Sequence, residues 1–313
     1  MIESDFWLRD AEGIDVFVRH FQPDKERPRA VIQVAHGVVE HSGRYFEMAK
    51  RFCDSGFACY VDDHRGHGKT AESTGGLGKL GPGGWDAVVR DLALITDHIE
   101  TDHPGLPIFL LGFSWGSHLA QDYIQRWGSR LAGVVLAGST GHQPFVIAGI
   151  GPLLSSIMVL LLGPDAPSHL TDKLVFDAYN KAYAPSPTHS RCDWINRDPT
   201  EVKSFIEDPA CGFPLSTRAS LEMARAYRRL WEPGQEGRIP RDLPVLIMSG
   251  SDDASNNRLV DLKPLAARYR TRWNLADVTE KYYEGARHEI FHELNRDEVF
   301  ADCIGWLDRH LRA

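Results

Sequence analysis

Gly112-Phe113-Ser114-Trp115-Gly116 is the part of this chain whose residue types and spacing most plainly permit covalent chemistry. A G-x-S-x-G pentapeptide between a strand and a helix forms a sharp, strained turn that lifts the serine hydroxyl clear of the backbone. The flanking glycines matter because only residues without a Cβ let strand and helix approach that closely. The same turn aims the backbone N–H of the next residue, Trp115, at the place where an oxyanion would develop on an attacked carbonyl. Ser114 is therefore a candidate nucleophile for acyl transfer.

A serine hydroxyl needs a base, and the base needs an acid to orient it. In elbow-type sites the order along the chain is Ser, then Asp or Glu, then His, each on a loop just past a strand. Ser249-Gly250-Ser251-Asp252-Asp253 follows the apolar run Val245–Met248, and Gly285-Ala286-Arg287-His288 follows Val278–Tyr283. His288 is thus the candidate base, with Asp253 or its neighbour Asp252 as the acid. His292 and His310 also come late in the chain, but neither directly follows a strand. A second oxyanion donor is expected from the loop after the strand ending at His36-Gly37, with the Val38 N–H as the candidate. His36, Gly37 and Phe113 are expected around the substrate.

A rival motif occupies the same stretch. His288-Glu289-Ile290-Phe291-His292 spells H-E-x-x-H, which on a helix puts two imidazoles on one face as zinc ligands with Glu289 as general base. His310 or Glu298 would have to supply a third ligand, and position 295 is Asn where the extended motif has Gly. The segment also follows a strand and a turn that the serine reading requires independently. The serine reading is preferred, and no metal or cofactor is expected. His64 and His67 are closely spaced, but Arg65, Gly66 and Gly68 around them suit a structural turn.

These groups can meet only if the strands that carry them lie side by side. Phe6–Leu8 and Val16–Phe21 read as an antiparallel pair around Glu12-Gly13. Val31–Ala35, Phe57–Val61, Pro107–Leu111 and Leu131–Ala137 read as strands alternating with helices, the pattern of a doubly wound parallel sheet. Trp85, Val88, Val89, Leu92, Ile95 and Ile99 form a helical stripe, as do Leu119, Ala120, Tyr123, Ile124 and Trp127. From about Gly141 to Leu215 the alternation stops, and Pro164, Pro167, Pro185, Pro187, Pro199, Pro209 and Pro214 punctuate short helical fragments. We read 141–215 as an inserted cap on a core of 1–140 and 216–313. Ser220–Trp231 is helical again, and a closing helix carries Val299, Cys303, Trp306 and Leu307 on one face.

Composition narrows the function classes. The 313 residues carry a formal net charge of −8 with no basic stripe, which argues against a nucleic-acid partner. The five cysteines are odd in number and lack metal-type spacing, and the opening Met1-Ile2-Glu3-Ser4-Asp5 lacks a secretory signal's basic and apolar regions. Reduced thiols in a cytoplasm are expected. No Asp, Glu, Lys or Arg occurs from Leu131 to Pro164, so Phe145–Leu162 raises the question of a membrane span. Gly149, Gly151 and Pro152 interrupt it. The expectation is a buried strand leading into an apolar cap helix that lines an acyl channel, packs on the core or touches a bilayer surface.

His36-Gly37-Val38-Val39-Glu40-His41-Ser42-Gly43-Arg44-Tyr45 resembles the HG-x-x-EHSGRY signature of the monoacylglycerol lipase and lysophospholipase branch of the α/β-hydrolases. Asp63-His64-Arg65-Gly66-His67-Gly68 is similar to that branch's D-x-RGHG loop, and Glu284-Gly285-Ala286-Arg287-His288-Glu289 to its histidine loop. Asp193-Trp194-Ile195-Asn196-Arg197-Asp198 and Asp208-Pro209-Ala210-Cys211 resemble its cap segments. The resemblance spans nearly the whole chain. It implies an α/β-hydrolase fold of about eight strands with a helical cap, and a Ser114–Asp253–His288 triad. It also implies an oxyanion hole from Val38 and Trp115, a lipid-facing cap and a single-chain lipid ester as substrate. In that pattern the acid stands three residues after the turn glycine, which favours Asp253 over Asp252. The branch's usual elbow is G-H-S-M-G, and Phe113 and Trp115 depart from it.

Overall fold

The computed structural model describes residues 1–141, 145–183, 188 and 190–311, with side chains of 145–150 left undescribed. Pro185 and Pro187, expected as punctuation within the cap, lie outside the described residues.

Eight strands form one sheet: β1 (Ile2–Arg9), β2 (Asp15–Gln22), β3 (Ala30–Ala35), β4 (Phe57–Asp62), β5 (Ile108–Phe113), β6 (Gly133–Ala137), β7 (Val245–Gly250) and β8 (Val278–Tyr283). Their order is β1-β2-β4-β3-β5-β6-β7-β8. Only β2 runs against its neighbours, and every pairing from β4 to β8 is parallel. β3 to β7 are buried at every position, which is why they read as continuous apolar runs rather than alternating ones. β1 is longer than the Phe6–Leu8 expected for it. Its first residues are exposed at the sheet edge, so no burial pattern marks them in the sequence.

Between and after the strands lie α1 (Phe46–Asp54), α2 (Ala71–Thr74), α3 (Gly84–Asp102), α4 (Trp115–Trp127), α5 (Phe145–Leu162), α6 (His169–Asn180), α7 (Pro199–Glu207), α8 (Thr217–Leu230), α9 (Pro233–Glu236), α10 (Lys263–Thr271) and α11 (Arg296–His310). Alternate strand residues feed two cores. Leu110, Val134, Leu136 and Ile247 pack with Leu92 of α3, Leu119 of α4 and Leu265 of α10. Leu111, Val135, Leu246 and Met248 pack with Phe52 of α1 and with Val299, Cys303 and Trp306 of α11. Helices therefore cover both faces of the sheet, as a parallel sheet requires.

α5 to α9 stand between β6 and β7, and α5 to α7 fall in the segment 141–215. α8, beyond residue 215, packs along α5 as well as against α3 and α4. α5 is not a buried helix. Leu153, Leu154, Leu160 and Leu161 are 57–83 % exposed on it. No helix among the described residues is long and apolar enough to cross a membrane.

Candidate active site

Ser114 sits alone between the last residue of β5 and the first of α4, with φ +51 and ψ −118, a backbone conformation that residues other than glycine rarely adopt. The turn is held by the Ser114 N–H, which donates to the Ala137 carbonyl of the neighbouring strand at 2.9 Å. A Cβ on Gly112 would strike the Gly116 carbonyl, and one on Gly116 would strike the Ala35 carbonyl. The two glycines are there because helix backbone rests directly on strand backbone.

His288 reaches this hydroxyl from the loop after β8. Its Nε2 lies 2.8 Å from Ser114 Oγ and its Nδ1 2.9 Å from Asp253 Oδ2. Ser255 Oγ is a further neighbour of Nδ1 at 3.1 Å. Asp253, on the loop after β7, is fully buried, and its carboxylate accepts from the Ser255 N–H at 2.8 Å and from Asn256 Nδ2 at 3.2 Å. Asp252 points elsewhere and pairs with Arg258 at 2.6 Å. Of the two adjacent aspartates, Asp253 is the one brought to the histidine. Burial alone would lower the His288 pKa, but the Asp253 carboxylate, with smaller contributions from Glu289 and Glu40, lifts the ring above its ordinary 6.5.

β3 lies beside β5, so its loop arrives next to the elbow. In that loop the Gly37 N–H goes to Glu40 Oε1 at 2.6 Å and the Val39 N–H to His67 Nε2 at 3.0 Å. The Val38 N–H between them has no partner among the described residues. Trp115 opens α4, where a first-turn amide has no intrahelical acceptor. Both residues line the same cavity as Ser114 and His288. Val39 stands at φ +54, costly for a β-branched side chain, and the His67 bond is one of those that hold it there. Burial lowers the His67 pKa to about 3, so its ring is neutral and can accept that bond while Nδ1 donates to the Arg65 carbonyl at 2.9 Å. Nothing in the spacing of His64 and His67 points to this bracing role.

His36 does not reach the cavity, contrary to its expected place beside the substrate. It is fully buried under the loop, where its Nε2 accepts the His64 N–H at 2.9 Å and its ring stacks on that of His64 at 3.9 Å. Gly37 and Phe113 do line the cavity, and the Phe113 ring packs 5.0 Å from that of His288.

The H-E-x-x-H segment is not an α-helix. Ile290–His292 is a single 3₁₀ turn, so the two imidazoles do not share a helical face. Both nitrogens of His288 face Ser114 and Asp253, and Glu289 is bound by Arg44 at 2.6 and 3.0 Å. Among the described residues, His41, Asp208 and Cys211 form one group compact enough to hold a metal ion. There the Nδ1 of His41 accepts the Gly43 N–H, so its Nε2 carries the proton donated to Asp208 at 2.8 Å. The Nδ1 lone pair is taken by the Gly43 N–H and Nε2 is protonated, and the His41–Asp208 pair ties the cap to the loop after β3.

The cap also docks on the histidine loop, through contacts that sequence reading missed. Trp194 packs its ring 4.8 Å from that of His288, the Glu289 N–H donates to the Ile195 carbonyl at 2.8 Å, and Arg287 donates to the Asp193 carbonyl at 2.6 Å. Between cap and sheet lies a cavity of about 470 Å³ that opens on Ser114. Its walls are mainly apolar, with Val175, Phe176 and Tyr179 from α6, Met223 and Tyr227 from α8, and Leu215 between them.

The family model for Hydrolase_4 (serine aminopeptidase, S33) matches residues 26–295. The chain is 29 % identical over 306 residues to a monoacylglycerol lipase of Mycolicibacterium smegmatis, covering 96 % of this chain and 95 % of that one. It is also 29 % identical over 308 residues to human monoglyceride lipase, covering 96 % and 89 % of the two chains. The crystal structure of a highly thermostable carboxyl esterase from Bacillus coagulans superposes with a TM-score of 0.90 at 25 % identity, over 99 % of each chain. The mostly parallel sheet with a helical cap is the α/β-hydrolase fold expected from the sequence.

Proposed function

The chain belongs to the Hydrolase_4 family (serine aminopeptidase, S33), and from that premise we propose that it cleaves carboxylic esters of single-chain lipids, monoacylglycerols or lysophospholipids, through an acyl-enzyme on Ser114. It is a carboxylic ester hydrolase. The observation that carries the substrate class is the apolar cavity opening on Ser114, whose volume falls in the usual range for small-molecule sites. The names of the two lipase relatives point the same way.

In this reading Ser114 Oγ attacks the ester carbonyl while His288 Nε2, 2.8 Å away, takes its proton. Asp253 accepts the Nδ1–H bond, fixes the tautomer that leaves Nε2 free to accept, and stabilises the imidazolium. The N–H groups of Val38 and Trp115 hold the oxyanion. His288 then gives the proton to the departing alkoxide. Water, deprotonated by the same nitrogen, attacks the acyl-enzyme and returns Ser114 with the free acid. Residues 141–215 act as the cap that shapes the acyl site on a core of 1–140 and 216–313.

A series of esters of increasing acyl length tests the substrate class. Each methylene transferred into an apolar site contributes about 0.8 kcal/mol, so kcat/KM is expected to rise about fourfold per added carbon until the cavity is filled. A maximum at acetate, falling from there, would make the protein a short-chain carboxylesterase. The pH dependence follows from the raised pKa of His288. The base must be neutral, so kcat/KM is expected to be full above that pKa and to fall as pH drops through it, with the acid limb centred above 6.5. A limb centred well below 6.5 would contradict the Asp253 pairing.

The exposed leucines of α5, together with Leu170 and Leu174 at 56 and 62 % exposure on α6, give the cap an apolar outer face beside the cavity. We assign this face to transient contact with the surface of a lipid aggregate. Leu160→Ser with Leu161→Ser is expected to lower sedimentation with phosphatidylcholine vesicles at least about tenfold. Turnover of a water-soluble p-nitrophenyl ester should stay within about twofold of the unsubstituted protein. The five cysteines are unpaired, in keeping with a cytoplasmic protein.

A further inference from the structure

One buried guanidinium joins the loop of the oxyanion amide to the loop of the base. Arg44 Nη1 donates to Glu40 Oε2 at 2.7 Å and to Glu289 Oε1 at 2.6 Å, and Nη2 donates to Glu289 Oε2 at 3.0 Å. The three side chains are only 9 %, 3 % and 3 % exposed. Glu40 uses its other oxygen to accept the Gly37 N–H at 2.6 Å, one residue before the Val38 amide, and the Tyr45 hydroxyl at 2.9 Å. Glu289 directly follows His288 in the chain. The Phe205 ring of the cap covers the guanidinium at 5.1 Å. Such a triad gives up its hydration, and well-packed apolar side chains would often tie two loops together at less cost.

The ionisable groups that act on the His288 ring are few. Asp253 bonds to Nδ1, Glu289 lies on the same loop, and Glu40 comes from the loop after β3. The same cavity wall carries His118 of α4, Asp172 and Tyr179 of α6 and Tyr227 of α8; burial keeps the three rings neutral, Asp172 pairs with Arg191, and Arg287, just before His288, donates to the Asp193 carbonyl. Two of the three carboxylates are thus the two that Arg44 binds. We propose that Arg44 is a positioning residue that acts on His288 by charge as well as by geometry, cancelling one of the two negative charges of Glu40 and Glu289 so that the imidazole answers chiefly to Asp253. This rests on the assignment of His288 as the base. Burial by itself would raise the Glu289 carboxyl, and the Arg44 guanidinium brings it below the ordinary carboxylate range, so Glu289 is an anion that needs its partner. Without Arg44, two uncompensated carboxylates would favour the imidazolium, and the base would stay protonated to a higher pH.

Profiles of kcat/KM against pH for four variants test this. Arg44→Met is expected to raise the pKa of the acid limb by about one unit, from a charge several ångströms away at an effective dielectric constant near 20. It should also lower kcat about 10- to 100-fold at the plateau, through the loosened Val38 loop, with KM changed less. Arg44→Lys keeps the charge but not the fork, so kcat falls while the limb stays within about 0.3 units of wild type. Glu289→Gln leaves Arg44 balanced by Glu40, removes a negative charge from beside His288 and moves the limb below wild type. Arg44→Met with Glu289→Gln brings the limb back at least half-way. A merely structural arginine would move none of these limbs in a charge-dependent order. Coincident limbs in Arg44→Met and wild type overturn the proposal, and if Arg44→Met does not fold, an unmoved limb in Glu289→Gln does so. A wild-type profile with no acid limb would instead sink the assignment of His288, which keeps the two failures apart.

Discussion

Replacing Ser114 with alanine is expected to lower kcat for ester hydrolysis about a millionfold, leaving only what the oxyanion donors and binding supply. The drop should be this large because, among the described residues, Ser114 Oγ is the hydroxyl bonded to His288 Nε2. Ser117 Oγ is committed to the Ser114 carbonyl at 2.5 Å, and Ser255 Oγ faces the wrong nitrogen of His288, 3.1 Å from Nδ1. Alanine keeps the Cβ that Ser114 already holds at φ +51, so the elbow is expected to survive. Circular dichroism and melting temperature should therefore match wild type, within the scatter of a single conservative change. Titrating a p-nitrophenyl ester and a monoacylglycerol against both proteins makes the comparison. Loss limited to tenfold would mean that the chemistry runs elsewhere.

Asp253→Asn is the second large effect, expected at about four orders of magnitude in kcat. The reason lies in which donors already point at the carboxylate. The Ser255 N–H donates to one oxygen at 2.8 Å, so in asparagine the carbonyl oxygen settles there and the amide NH₂ turns toward His288 Nδ1. A donor facing Nδ1 forces the proton onto Nε2, the tautomer that cannot accept from Ser114. Asp252→Asn is the matched control. It loses only the Arg258 pair, whose members are one-third to one-half exposed, and kcat is expected to change by less than about twofold. Equal losses in the two variants would contradict the pairing seen at Asp253.

How far the site could be read from sequence depends on whether neighbours in space are neighbours in the chain. The elbow was legible because its constraint is local, two glycines and a serine between a buried strand and a helix. The strands of the acid and base loops were legible because they are apolar and bounded by turns. Spacing alone left Asp252 and Asp253 open, and the distinction lies in side-chain direction, one toward Arg258 and one toward His288. Arg44 and Glu289 are 245 positions apart, and no periodicity links them. His36 looked like a substrate contact because it precedes the oxyanion loop, but a buried ring with both nitrogens bonded to backbone supports the loop from beneath. The H-E-x-x-H spelling misled only in the abstract. Its meaning depends on a helix, and the chain makes a 3₁₀ turn there instead.

A fluorophosphonate offers the most direct measurement, because it reacts covalently only with a serine oxygen activated as a nucleophile. Incubated with the folded protein, then digested and sequenced by mass spectrometry, the phosphonyl group is expected on Ser114 at one equivalent per chain, with ester turnover lost in step. Labelling of any other residue, or full activity after Ser114 is labelled, would contradict the account.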